Sequence, residues 1–238
     1  MLPSNGKKIK TVHNYHMTMR ELIELVDYLK EKYSRHWHIV VLTQFGLGLR
    51  ASEVLAIQIF DIDQEITKVD YRQAKTNKII HDEPIPKWLQ PILKEYISDN
   101  IQTFKDGYIF PKLKGKIAYY TTPVYSAFFS KWRKNLAKKT KNKAWVEKYE
   151  DYEGEGQVRY RIGSHSLRRL HRTVMLKKYP DHVHVVKELC HYQDLSSFMR
   201  YINTFEIREK AADFINGAFS DFVPDLHLNA DQTRLSRF

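Results

Sequence analysis

The chain has 238 residues, 42% of them hydrophobic, with a single cysteine at Cys190. That supports a sizeable core in one or two domains and excludes an internal disulfide framework or a cysteine-rich zinc site. No secretory segment and no apolar run long enough to span a bilayer is present, so a cytoplasmic or nucleoid location is expected, or the host-cell cytoplasm for a viral chain. Lys and Arg number 39 against 28 Asp and Glu, a formal charge of +11, which points to a polyanionic partner, because phosphates release counterions to these side chains.

Residues 1–16 are basic and lack periodicity, and read as an arm. Thr18 and Glu21 then form a capping box ahead of Met19, Leu22, Ile23, Val26, Leu29 and Tyr33, a helical spacing. HIVVLTQF (38–45) reads as a short buried helix ended by Gly46 and Gly48. A second helix follows in ASEVLAI (51–57), which places Arg50 at the turn between them. The stretch 66–86 changes character: Val69 and Tyr71 alternate with polar residues, and Asn77 suits a left-handed turn. This predicts a β-hairpin with Lys75 at its tip. Trp88, Leu89, Ile92, Leu93 and Tyr96 return to helix.

Between Gly107 and Val146 no acidic residue occurs, while Lys112, Lys114, Lys116, Lys131, Arg133, Lys134, Lys138, Lys139, Lys141 and Lys143 are interleaved with aromatic residues. Part of this is an aromatic core face; the basic residues read as a phosphate-tracking surface. The segment 149–163 is polar, bears glycines and reads as a loop. Leu167, Leu170, Val174 and Met175 make HSLRRLHRTVML an amphipathic helix, and Ile207, Ala211, Phe214, Ile215 and Phe219 a last one. The prediction is a mainly α chain with a small antiparallel β-sheet, an α+β arrangement.

Singly, the candidate functional residues are ambiguous. Arg50 is a cation at a helix start, where the macrodipole disfavours positive charge; it serves either an anion or a salt bridge to Glu53. His165 and Arg168 share one helix face and suit a phosphodiester, yet a surface pair has the same spacing. Lys75, His191 and Tyr201 each have an ordinary structural explanation.

Together they form an ordered set. LTQFGLGLRASEVLAIQIFDID, AKTNKIIHDEPIP, HSLRRLHRTVMLKK and VVKELCHYQDLSSFMRYIN resemble successive boxes of the tyrosine recombinase (phage integrase) family, over roughly residues 17–220. The resemblance implies that Arg50, Lys75, His165, Arg168 and His191 are catalytic, with Tyr201 as nucleophile and Glu53 as supporting carboxylate. It departs from the family in Cys190, where glycine is usual, and in a His191-to-Tyr201 spacing one residue longer. The implied activity is site-specific cleavage and rejoining of double-stranded DNA through a 3′-phosphotyrosyl link, as in DNA integration by mobile elements. It needs no metal, nucleotide or other cofactor. A homo-oligomer, a tetramer on DNA, is also implied, with residues 221–238 a tail available for exchange between protomers. Family members carry a helical core-binding domain before the catalytic one; with residues 1–16 alone preceding the first helix, that domain is expected to be absent here.

Other readings stand beside this one. A catalytically silent DNA-binding regulator would share the fold, and a type IB topoisomerase would share the chemistry. His182-Val183-His184 supplies the tripeptide of metal-dependent nickases.

Overall fold

Why each element begins where it does follows from a few local contacts. The structure, a computed structural model, describes residues 17–33, 35–104, 106–112, 119–151, 157–160 and 162–190. By its internal contacts the chain divides after Tyr201, and every described residue belongs to the first unit. Helix α1 (Met19–Lys32) starts at the anticipated capping box, with the Thr18 backbone N–H donating to Glu21 Oε2 at 2.7 Å. Its buried face is Leu22, Leu25, Val26, Tyr28 and Leu29, whereas Met19 and Ile23 lie at the solvent edge, a correction to the apolar pattern. Two carboxylates set this rotation. Glu21 accepts from Asn142 Nδ2, and Glu24 from Asn142 Nδ2 and Trp145 Nε1, so polar groups of α1 face inward.

Helix α2 (Arg35–Gly46) is buried on nearly every side from Trp37 onward, as a central helix must be. It packs against α1, α3 (Ala51–Leu55), α4 (Gln90–Asn100) and α6 (His165–Lys178). Trp37 of α2 meets Tyr125 and Trp132 of α5 (Thr122–Thr140), the first stacked at 5.8 Å between ring centres and the second edge-on at 5.3 Å. Such aromatic pairs add to area burial and fix α5 against α2.

Strands β1 (Lys68–Arg72) and β2 (Ile79–Pro84) pair antiparallel, with a register shift between Val69 and Tyr71. Val69, Tyr71 and Ile80 are buried, the inward half of the strand alternation. Asn77 takes the left-handed conformation (φ 57°), and its N–H donates to the Gln73 carbonyl at 2.9 Å. Lys75 is exposed in this turn, as the sequence predicts.

The segment read as a loop is instead a second hairpin. Strands β3 (Lys148–Asp151) and β4 (Gln157–Tyr160) pair antiparallel, from Lys148 opposite Tyr160 to Asp151 opposite Gln157. Gln157–Tyr160 alternates polar and apolar residues, a strand signature that the glycines and charges beside it outweigh in a reading by composition. Helix α7 (Val183–Leu189) ends the described chain just before Cys190. The helix expected at 207–219 lies outside the described residues.

Candidate active site

One carboxylate organises the first, second and third boxes. Glu53 lies in the first turn of α3 and is buried, 2% exposed. Its Oε2 accepts from the Arg50 backbone N–H at 2.7 Å, and its Oε1 from Arg50 Nη1 at 2.6 Å. Oε1 also accepts from the Ala74 N–H at 3.1 Å, which anchors the hairpin turn next to Lys75. Arg168 Nη1 lies 3.5 Å from Oε2. Burial raises the Glu53 pKa, but the Arg50 N–H, the Arg168 charge and the Arg50 guanidinium together hold it below its ordinary value. The carboxylate is therefore ionised at neutral pH.

The two arginines differ in access. The Arg50 side chain is 29% exposed and that of Arg168 only 5%. Arg168 also donates through Nη1 to the Gly48 carbonyl at 2.6 Å, and through Nη2 to the Cys190 carbonyl at 3.5 Å. It thus ties α6 to the turn before Arg50 and to the residue before His191.

His165 opens α6, one turn before Arg168. Solvent reaches it, yet the protein around it is dense enough that desolvation is the chief cause lowering its pKa to about 3. Arg169, Arg172, Arg168 and Arg50 add to that effect. The imidazole is neutral at physiological pH and free of the protonation that an unperturbed histidine begins near 6.5.

Gly48 has a positive φ of 61°, and a Cβ there would lie 2.6 Å from Cδ2 of His171. Burial lowers the His171 pKa to about 4, against the raising effect of its bond to the Phe45 backbone, so that ring too is neutral. Gly48→Ala meets both a left-handed backbone cost of about 1–2 kcal/mol and this steric clash. Urea denaturation is expected to show a loss of at least that size; unchanged stability would contradict the close approach.

The other sequence candidates fall into three groups. Lys131, Lys134 and Lys138 are exposed along one side of α5, and Lys112 is half-buried. Lys139 is exposed and pairs with Glu31 of α1. Arg133 is corrected: it is 4% exposed, and its Nη1 donates to the Ile162 carbonyl at 3.0 Å. It shares the buried stripe of Phe129, Trp132 and Leu136 and serves as an internal brace rather than a phosphate contact. Lys114, Lys116, His191 and Tyr201 lie outside the described residues. His182 ends a 3₁₀ turn and His184 lies in α7. Among the described residues no group of three or more His, Cys, Asp and Glu side chains is placed to hold a metal ion.

Two features escaped the sequence reading. Arg172, four residues after Arg168 on α6, is fully buried. With Arg168 it opposes the raising of the Cys190 pKa by burial. The hairpin contact through the Ala74 N–H is a backbone group and has no signature in residue type.

The structure thus presents a mainly helical fold with a small antiparallel hairpin, in which Arg50, Arg168 and the Lys75 turn gather on Glu53. The model of the phage integrase family matches residues 15–207, and the chain belongs to that family of tyrosine recombinases. Its fold is similar to that of XerA recombinase, at 15% identity and a TM-score of 0.59, covering 84% of this chain and 65% of that one. It is similar also to the Tn1549 transposon integrase solved with circular intermediate DNA (18% identity, TM-score 0.56, 81% of this chain and 62% of that one). A lambda integrase dimer bound to a COC′ core site gives 14% identity and a TM-score of 0.55, covering 80% of this chain and 59% of that one. The chain thus spans less than two thirds of each of these solved chains. No curated protein sequence matches it. Among the described residues no helix is long and apolar enough to cross a membrane.

Proposed function

We propose that the chain is a site-specific DNA recombinase that cleaves and rejoins strands through a 3′-phosphotyrosyl intermediate on Tyr201. The observation that carries the reading is the Glu53 cluster. One buried carboxylate holds Arg50, Arg168 and the root of the Lys75 turn together, a cationic pocket matched to a phosphodiester. Similar folds solved on DNA support it, as does the exposed basic side of α5.

In this reaction the Tyr201 oxygen forms a bond to phosphorus and the bond to the 5′-oxygen breaks. The phenol proton leaves towards the neutral imidazole of His165, and Lys75 supplies a proton to the departing 5′-oxygen. A phenol of ordinary pKa near 10 is a poor nucleophile at neutral pH, so stabilisation of the transition state by Arg50 and Arg168 is the larger contribution. The phosphate anion offsets the arginine charges and makes His165 a better acceptor than it is in the free protein. His191 donates to the phosphate. Attack by another 5′-hydroxyl on the phosphotyrosyl link reverses the step, and its energy is conserved without ATP. The chain acts on duplex DNA as a tetramer in the cytoplasm, with Lys112, Lys114, Lys116, Lys131, Lys134, Lys138 and Lys139 along the backbone phosphates.

A nicked suicide substrate, which releases the short strand after cleavage, tests this directly. A covalent adduct is expected in the presence of EDTA, with the DNA-bearing peptide mapping to Tyr201. Tyr201→Phe is expected to form none, and Tyr192→Phe, at the tyrosine that directly follows His191 in the sequence, to form it normally. Failure of the wild type to form an adduct on DNA that it binds would reject the enzyme.

A further inference from the structure

We infer that Gln44 is a positioning residue that sets Arg50 and His165 against each other, a claim that rests on the recombinase reading for its consequence and on geometry for its substance. Gln44 is fully buried in α2, beside the less deeply buried His38 and the buried Thr43. Its side-chain Nε2 donates to the Leu49 carbonyl at 3.3 Å and to the Ser164 carbonyl at 3.1 Å. Leu49 immediately precedes Arg50, and Ser164 immediately precedes His165. One amide therefore bridges 120 residues of chain and joins the roots of both side chains.

The orientation of that amide is fixed from the other end. The Tyr125 hydroxyl of α5, itself fully buried, donates to Gln44 Oε1 at 2.9 Å. A flipped amide would set its oxygen against two carbonyl oxygens and lose both bonds, so only one arrangement is satisfied. The Gln44 backbone grips the same place, its carbonyl accepting from the Leu49 N–H at 3.1 Å. Leu49 is thus held through both of its backbone groups by one residue. With the Gly48 carbonyl bonded to Arg168 and the Arg50 N–H to Glu53, the turn carrying Arg50 has little freedom. Neither Gln44 nor Tyr125 needs to touch DNA to act in this way.

An effect on rate without an equal effect on binding is the signature of such a residue. A misplacement of the order of 1 Å costs about a hundredfold in rate, while DNA affinity rests on many phosphate contacts. The test compares the wild type, Gln44→Met, and the double variant Gln44→Met with Tyr125→Phe. Methionine keeps the length and volume, and phenylalanine removes the hydroxyl that methionine leaves stranded, which keeps the core apolar and folded.

Single-turnover adduct formation at saturating suicide DNA, well below the melting temperature, is expected to fall about tenfold to a hundredfold in both variants, with DNA affinity held within about twofold. The double variant is expected to regain stability relative to Gln44→Met without regaining rate. A rate that follows stability back to the wild-type value would overturn the inference. A second readout needs no DNA. The ¹⁵N signals of the His165 imidazole and the Arg50 Nε are expected to shift or broaden in the double variant, while His81 on the hairpin stays unchanged. Unmoved His165 and Arg50 signals would overturn the inference whatever the DNA experiment shows. Shifted signals in a protein whose wild type makes no adduct would reject the reaction and uphold the clamp.

Discussion

Glu53→Gln is expected to lower adduct formation on suicide DNA by at least about a hundredfold and to destabilise the free protein by about 3–5 kcal/mol. The amide keeps the shape but has one acceptor oxygen where the carboxylate has two. Three donors to that carboxylate come from Arg50 and Ala74, and Arg168 lies beside it. Whichever way the amide turns, its NH₂ group faces at least one of these donors. Two guanidinium groups are then left close together without the anion that neutralised them. On the proposed function a phosphodiester brings negative charge to the same two guanidinium groups, so DNA is expected to raise the melting temperature of Glu53→Gln more than that of the wild type. Thermal melts with and without DNA, beside trapping rates, measure both effects. Equal DNA-induced shifts would show that Glu53 does not occupy the electrostatic role assigned to it.

Arg168→Met carries the other large effect, and for a different reason. Methionine fills the channel beside Gly48 but leaves the buried Gly48 carbonyl without the bond it receives at 2.6 Å. An orphaned buried acceptor costs about 1–3 kcal/mol, and the partial loss of charge balance around Glu53 adds to it. On the proposed function catalysis is expected to fall about a thousandfold, since the donor assigned to the phosphate is lost together with the brace on the Arg50 turn. Arg168→Lys restores a charge but not the planar fork that reaches Gly48 and Cys190 at once. It is expected to recover DNA binding and little of the rate. Urea denaturation and single-turnover trapping separate the two contributions. Full activity in Arg168→Lys would mean that charge alone suffices.

What could be read from the chain was local. Arg50 and Glu53 are three apart at the start of a helix, and the pair follows from that spacing. Asn77 announces its turn, because few side chains accept a positive φ. The helix from His165 follows from the apolar period of Leu167 and Leu170. What escaped was set by groups without a residue signature or by partners far along the chain. Ala74 contributes an N–H that every residue but proline has. Lys148–Asp151 and Gln157–Tyr160 pair through backbone groups, and their short alternation is drowned by the glycines and charges around it. Arg133 was legible in principle, since it falls in phase with Phe129, Trp132 and Leu136. Its charge outweighed its phase in the reading, and a carbonyl at Ile162 settled the matter in the fold. Gln44 carries no signal in HIVVLTQF, where His38 and Thr43 are polar too, and only the distances to Leu49, Ser164 and Tyr125 give it a task.

The bond from Arg168 to Gly48 spans 120 positions of sequence, and this has a bearing on the order in which the molecule acquires its chemistry. Helices α2 and α3 and the first hairpin are near neighbours in sequence, whereas α6 meets them only across that span. Closing a loop of that length comes late, since its entropy must be met before the contact is made. On the proposed function, a chain in which α6 has not yet docked carries Arg50 without Arg168, and it is expected to hold DNA through its charge without cleaving it.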